Sequence, residues 1–262
     1  VLPNNVFVFD IESVPDVDGG RRLYGLDGLN DAEVGRALLA MRRQQAGTEF
    51  QKLHLQRIVT ISIAARMGDR FRVWSLTEPE CSEAEIITRF YDGIERYTPQ
   101  LVSWNGYGFD LPVLHYRALI HGISAPRYWE SGNNDQSFRW NNYLSRFHER
   151  HLDLMDVLAA YQARAAVPLD ELATLCGLPG KMGMSGDKVW DCVLAGDYRR
   201  VSNYCENDVL NTYLMYLRFE LMRGRIDRPQ YQIEQRRVRE CLEAADQPHL
   251  QEFLAAWPEE GV

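Results

Sequence analysis

Hydrophobic positions in Val6-Phe7-Val8-Phe9-Asp10-Ile11-Glu12 fill both alternating sets, Val6 and Val8 on one and Phe7, Phe9 and Ile11 on the other. That pattern suits a central strand covered on both faces. Side chains two apart share a side of a strand, so Asp10 and Glu12 are expected to project together at its end. Two buried carboxylates repel each other and lose hydration, which is costly without a cation or partner.

The rest of the chain reads in order. Ser13-Val14-Pro15-Asp16 marks a turn, and residues 17–52 a polar excursion with a helix near Asp31–Gln45. Its cations Arg36, Arg42 and Arg43, with Lys52 and Arg57, make either a solvated face or a wall of a substrate groove. Arg57–Ala65 and Arg70–Trp74 read as strands joined by a hairpin turn at Met67-Gly68-Asp69. Ile86, Ile87, Phe90, Ile94 and Tyr97 recur at helical spacing behind a capping box of Ser82 and Glu85. Leu101–Trp104 is a short strand followed by a helix over Leu111–His121.

Residues 122–148 are irregular, longer than an ordinary connection. A last strand beginning at His151 turns into a helix by Leu158. Helices follow at Leu169–Cys176, Asp187–Leu194 and Tyr198–Arg223, the last closed by Gly224. A basic segment and one final amphipathic helix end the chain. The order predicts an α/β fold: a mixed five-stranded sheet, three antiparallel strands then parallel ones, with helices on both faces. One domain is expected over 1–262, with a core at about 5–224 and a helical extension at 225–262.

Composition narrows the class. At 45% hydrophobic and 25% charged, the 262 residues are ordinary for a globular protein. No run is long enough to span a bilayer and no signal peptide is evident, so a cytoplasmic protein is expected. Five scattered cysteines without a Cys-x-x-Cys pair argue against a zinc site or disulfide framework. A net charge of −8 argues against a bulk binder of duplex nucleic acid, though not against an enzyme that concentrates carboxylates around metal.

Three pieces carry candidate chemistry: Asp10 with Glu12; Asp110, where a strand gives way to a helix; and Tyr204 with Asp208, one helical turn apart. If the Leu101–Trp104 strand neighbours the first strand and the long helix packs across its end, four carboxylates converge. Hard divalent cations, Mg²⁺ or Mn²⁺, suit such an oxygen-rich set. Two of them can clamp the attacking and leaving oxygens of a phosphoryl displacement. Tyr204 would direct the attacking water. Gly106-Tyr107-Gly108 lacks the third glycine of a dinucleotide fingerprint, and Gly180-Lys181 lacks the rest of a phosphate loop.

Phe9-Asp10-Ile11-Glu12, Asn105-Gly106-Tyr107-Gly108-Phe109-Asp110 and Tyr204-Cys205-Glu206-Asn207-Asp208 together resemble the three motifs of DEDDy 3′→5′ exonucleases. The resemblance is to the proofreading exonuclease domain of family B DNA polymerases and its stand-alone relatives, and runs from about residue 5 to 224. It implies a ribonuclease-H-like fold and two metal ions. Asp10, Glu12 and Asp208 would ligate the first ion, and Asp10 would bridge to the second with Asp110 nearby. The sister group has a His five residues before the last Asp; Asn203 stands there, which favours the tyrosine subtype. A family Lys upstream of the third motif fits Lys181, three residues before Met184, with Lys188 as competitor for the scissile phosphate.

The expected activity is metal-dependent removal of nucleotides from the 3′ end of single-stranded DNA, with no membrane and no nucleotide cofactor. Trp104, Asn105, Tyr107 and Phe109 would border the terminal nucleotide. Trimming of RNA ends, endonuclease action on the same fold and a catalytically silent nucleic-acid-binding module stay open.

Overall fold

The computed structural model describes residues 2–258. Strand β1 (Asn5–Pro15) forms the centre of the sheet. On one side it pairs antiparallel with β2 (Gln56–Met67), which pairs antiparallel with β3 (Arg70–Thr77). On the other side lie β4 (Gln100–Ser103) and β5 (His151–Asp153), both parallel to β1. The order is β3-β2-β1-β4-β5. This is the mixed five-stranded sheet expected from the sequence, three antiparallel strands followed by parallel ones.

One correction concerns the end of β1. Ser13–Pro15 is not a turn: β2 keeps pairing as far as Pro15 against Gln56, with a bulge between Glu12 and Ser13. A bulge adds a residue and bends the strand without ending it. The β4 side behaves differently, because β4 pairs only with Val6, Phe7 and Val8. Asp10 and Glu12 therefore lie inside a long strand, beyond the point where its parallel neighbour has stopped.

The two faces separate by parity. Phe7, Phe9, Ile11, Ile61, Ile63 and Leu101 bury against α3 (Glu83–Tyr97) and α4 (Asp110–His121). Ser82 and Glu85 form the expected capping box on α3. Tyr128, Phe138 and Tyr143 from the irregular segment join that layer. Val6, Val8, Ala64, Val102 and Leu152 bury on the opposite face against α8 (Tyr198–Met222). Asp10 and Glu12 have the parity of Val6 and Val8, so they face α8.

The excursion holds two helices, α1 (Val17–Tyr24) and α2 (Asp31–Ala46), where one was expected. Asp16 caps α1 by accepting the Gly19 N–H, a signal hidden among polar residues. Arg117, buried in α4, bonds Asp16 and Glu83 and locks the excursion to the core. A buried guanidinium tolerates this position only because both carboxylates meet it. Arg42 donates to the Phe50 carbonyl and Arg57 pairs with Glu78, so these cations hold the fold locally.

Short helices α5 (Leu154–Leu158), α6 (Leu169–Leu175) and α7 (Val189–Leu194) precede α8. The expected single final helix is two, α9 (Arg228–Glu243) and α10 (Pro248–Ala256), because Pro248 cannot continue a helix and starts a new one. Tyr231, Val238, Leu242, Leu250 and Phe253 on them share a hydrophobic cluster with Val6 and Val8. Among the described residues no helix is long and apolar enough to cross a membrane.

Candidate active site

Four carboxyl groups from three distant parts of the chain meet beside β1. Asp110, the first residue of α4, is 2% exposed and accepts the Ile11 N–H through Oδ1 at 3.1 Å. That N–H is free because β4 has already stopped pairing. Asp110 also lies close enough to Asp10 to raise it electrostatically. Asp208, on α8, lies close enough to raise both Asp10 and Glu12 electrostatically. Tyr204, one turn earlier on α8, lies within electrostatic reach of Asp208.

The electrostatics are those of an acidic cluster short of positive charge. Burial, then the neighbouring carboxylates, pushes Asp10 and Glu12 well above the usual carboxylate range. Burial pushes Asp110 up to about 7 although the Ile11 N–H pulls the other way. It pushes Asp208 up to about 7 against the pull of Tyr204 and Lys181. The Tyr204 phenol is raised by burial and by Asp208, so it is a hydroxyl at any ordinary pH. Groups held away from their preferred charge call for a cation. An oxygen donor set of this kind fits Mg²⁺ or Mn²⁺. One donor atom each from Asp10, Glu12 and Cys205 lies within 4.8 Å of the others.

The neighbouring loop is built by a residue that the motif reading missed. Asp153 accepts the Asn105 N–H on one carboxylate oxygen and the Tyr107 N–H on the other, each at 3.0 Å. It also caps α5 through the Asp156 N–H. Asn105 thereby holds φ at +66°, unusual for a side-chain-bearing residue. A Cβ on Gly106 would collide with Ser103 Oγ, so glycine is required there. The available signal for Asp153 was its place at a strand-to-helix junction. Cys205 was also missed; its thiol donates to Asp10 Oδ2 at 3.4 Å.

The candidate residues fall into groups. Asp10, Asp208, Trp104 and Asn105 line one open groove of about 420 Å³ together with Met155 and residues 166–169. The Trp104 indole N–H is fixed by the Val167 carbonyl at 3.1 Å. Tyr107 packs its ring on His151, and its hydroxyl is buried with no hydrogen-bond partner among the described residues. Phe109 packs against Phe50 at the edge of the core. Lys181 is exposed within electrostatic reach of Asp208. Lys188 lies beside Asp187 and Asp191 instead.

Residues 48–257 match the family model of predicted 3′–5′ exonucleases related to the exonuclease domain of PolB. The chain belongs to this family. The match spans Asp110, Lys181, Tyr204 and Asp208 and begins after Asp10 and Glu12. No curated protein matches the sequence. Among solved structures the chain is similar to E. coli exonuclease I in a zinc-bound complex with single-stranded DNA, at 12% identity and a TM-score of 0.39, covering 92% of this chain and 45% of that one. It is also similar to E. coli exonuclease I with a dA16 oligonucleotide, at 11% identity and a TM-score of 0.35, with coverage of 92% and 45%. The exonuclease family member thus spans less than half the length of these structures, and its chemistry has to be argued from its own site.

Proposed function

We propose that this family member is a 3′→5′ exonuclease of the tyrosine subtype, removing nucleotides from single-stranded DNA with two divalent cations. The observation that carries this reading is the convergence of Asp10, Glu12, Asp110 and Asp208, with Tyr204, beside one open groove. Asp10, Glu12 and Asp208 would hold one Mg²⁺ or Mn²⁺, and Asp10 with Asp110 the other. Bound there, the cations supply Lewis acidity toward the scissile phosphate and lower the pKa of water.

The chain's own groups do the rest. Tyr204, kept as a hydroxyl by burial and by the nearby Asp208, orients the attacking water. Lys181 approaches the phosphate from the loop after α6. Trp104, held by Val167, and Asn105 border the terminal nucleotide, which seats its 3′ end against Asp10 and Asp208. An anchored loop of this kind holds a substrate at little entropic cost. Five unpaired cysteines support a cytoplasmic location.

Labelled oligonucleotides test the reading. A 5′-labelled DNA strand in Mn²⁺ should give a descending ladder, and a 3′-labelled one should release mononucleotide first. A matched RNA strand degraded faster than the DNA would move the substrate to RNA. No digestion of either would overturn the assignment.

A further inference from the structure

Phe147, Tyr161 and Arg146 form an exposed cluster where the chain leaves the groove. The two rings meet edge to face with centroids 4.9 Å apart. The Arg146 guanidinium lies 5.3 Å from the Tyr161 centroid and 6.0 Å from that of Phe147. Phe147 is 70% exposed and Tyr161 38%. Single exposed apolar side chains need no explanation, but two rings meeting edge to face beside a guanidinium are a prepared surface.

The backbone that presents Tyr161 is strained. Ala160 and Tyr161 have φ of +50° and +60°, consecutive left-handed residues that both carry side chains. This conformation is disfavoured for L-residues, most of all for a bulky one. It is enforced from α5: the Tyr161 N–H reaches the Asp156 carbonyl at 2.7 Å, and the Ala160 N–H the Val157 carbonyl at 3.1 Å. Asp156 also holds Arg146 at 2.7 Å. Strain that the surroundings over-determine tends to gather at ligand-binding positions.

Its place in the chain ties the cluster to the groove. Met155 lines the groove one residue before Asp156, and the groove lining resumes at Ala166, five residues after Tyr161. Tyr107, two residues from Asn105, is within electrostatic reach of both Arg146 and Tyr161. A strand with its terminal nucleotide at Asp10 and Asp208 must carry its upstream nucleotides beyond the groove, and the segment between the groove-lining Met155 and Ala166 presents Tyr161 with Phe147 against it.

We propose that Phe147, Tyr161 and Arg146 form a base-stacking platform for single-stranded nucleic acid, holding a nucleotide upstream of the 3′-terminal one. The platform rests on the nuclease reading above. Rings stack on any base, so the contact is tolerant of sequence. Because Asp156 offsets the Arg146 charge, the platform acts through stacking more than through phosphate attraction.

The test is how affinity depends on strand length. Oligonucleotides of three and ten nucleotides with phosphorothioate 3′-terminal linkages resist hydrolysis and can compete against a fluorescent decamer. The wild type should bind the decamer more tightly than the trimer. Tyr161→Ala and Phe147→Ala should each remove roughly five- to hundred-fold of that length-dependent gain. Tyr161→Phe, which keeps the ring, should restore it, and circular dichroism shows that each variant is folded. Folded alanine variants that keep the full length dependence overturn the platform and leave the nuclease reading intact. A wild type that binds neither length overturns both.

Discussion

The Ile11 N–H donates to Asp110 Oδ1 at 3.1 Å, joining residues 99 positions apart. The bond takes the place that a further β4 residue would have filled. One carboxylate thus both completes the hydrogen bonding of β1 and stands among Asp10, Glu12 and Asp208. Positioning of the cluster and pairing of the sheet are the same event.

Asp208→Asn removes one charge from a self-repelling cluster. Activity in Mn²⁺ should fall by roughly two to four orders of magnitude. The melting temperature in EDTA at pH 8 should stay level or rise, because the lost charge was held at a cost. Scanning calorimetry beside the oligonucleotide digest checks both; a large loss of stability in EDTA would mean that Asp208 mainly holds the fold.

Metal-free stability should depend on pH in a defined direction. Asp110 and Asp208 are raised from 3.8 to about 7 in the folded chain. Between those values the folded protein binds more protons than the unfolded one, so these groups lower stability as pH rises through that window. In EDTA, the wild type should lose stability relative to Asp208→Asn on going from pH 5 to pH 8. Added Mn²⁺ should recover more at pH 8 than at pH 5. Melting curves at the two pH values decide.

Tyr204→Phe deletes the hydroxyl and keeps the ring against Val201 and its neighbours. The turnover rate should drop by about a hundred-fold, with a smaller change in KM. Mn²⁺ affinity, measured by calorimetric titration, should hold. Loss of metal binding instead would make the tyrosine a support for Asp208 alone.

Asp153→Ala leaves the Asn105 and Tyr107 N–H groups without their acceptor. Each buried, unsatisfied donor costs about 1–3 kcal/mol, so a stability loss of roughly 3 kcal/mol is expected in urea unfolding. Activity should fall too, since Asn105 lines the groove.

Lys181→Ala should raise KM for the oligonucleotide more than Lys188→Ala does. Lys181 acts on Asp208, whereas Lys188 faces Asp187 and Asp191. Equal effects would show that neither lysine is specific to the phosphate.

Much of this was legible in order along the chain. The Ser82–Glu85 capping box, the hairpin at Gly68 and the apolar run before Asp10 are local signals, and the observed elements follow them. The end of β1 was misread because Ser13-Val14-Pro15 looks like a turn until β2 is there to pair with it. Helix α1 went unseen because its support comes from Asp16 and Arg117, 101 residues apart.

The sequence by itself determined which residues can carry the chemistry, because strand parity and helical spacing put Asp10 beside Glu12 and Tyr204 beside Asp208. Only the tertiary structure decided that β4 stops short, that Asp153 sets the Asn105 loop, and that Tyr161 is held in the left-handed region near the groove. Periodicity is a property of neighbours along one chain segment. Where an edge is left unpaired, or which carboxylate fills it, depends on segments that meet only once the chain has folded.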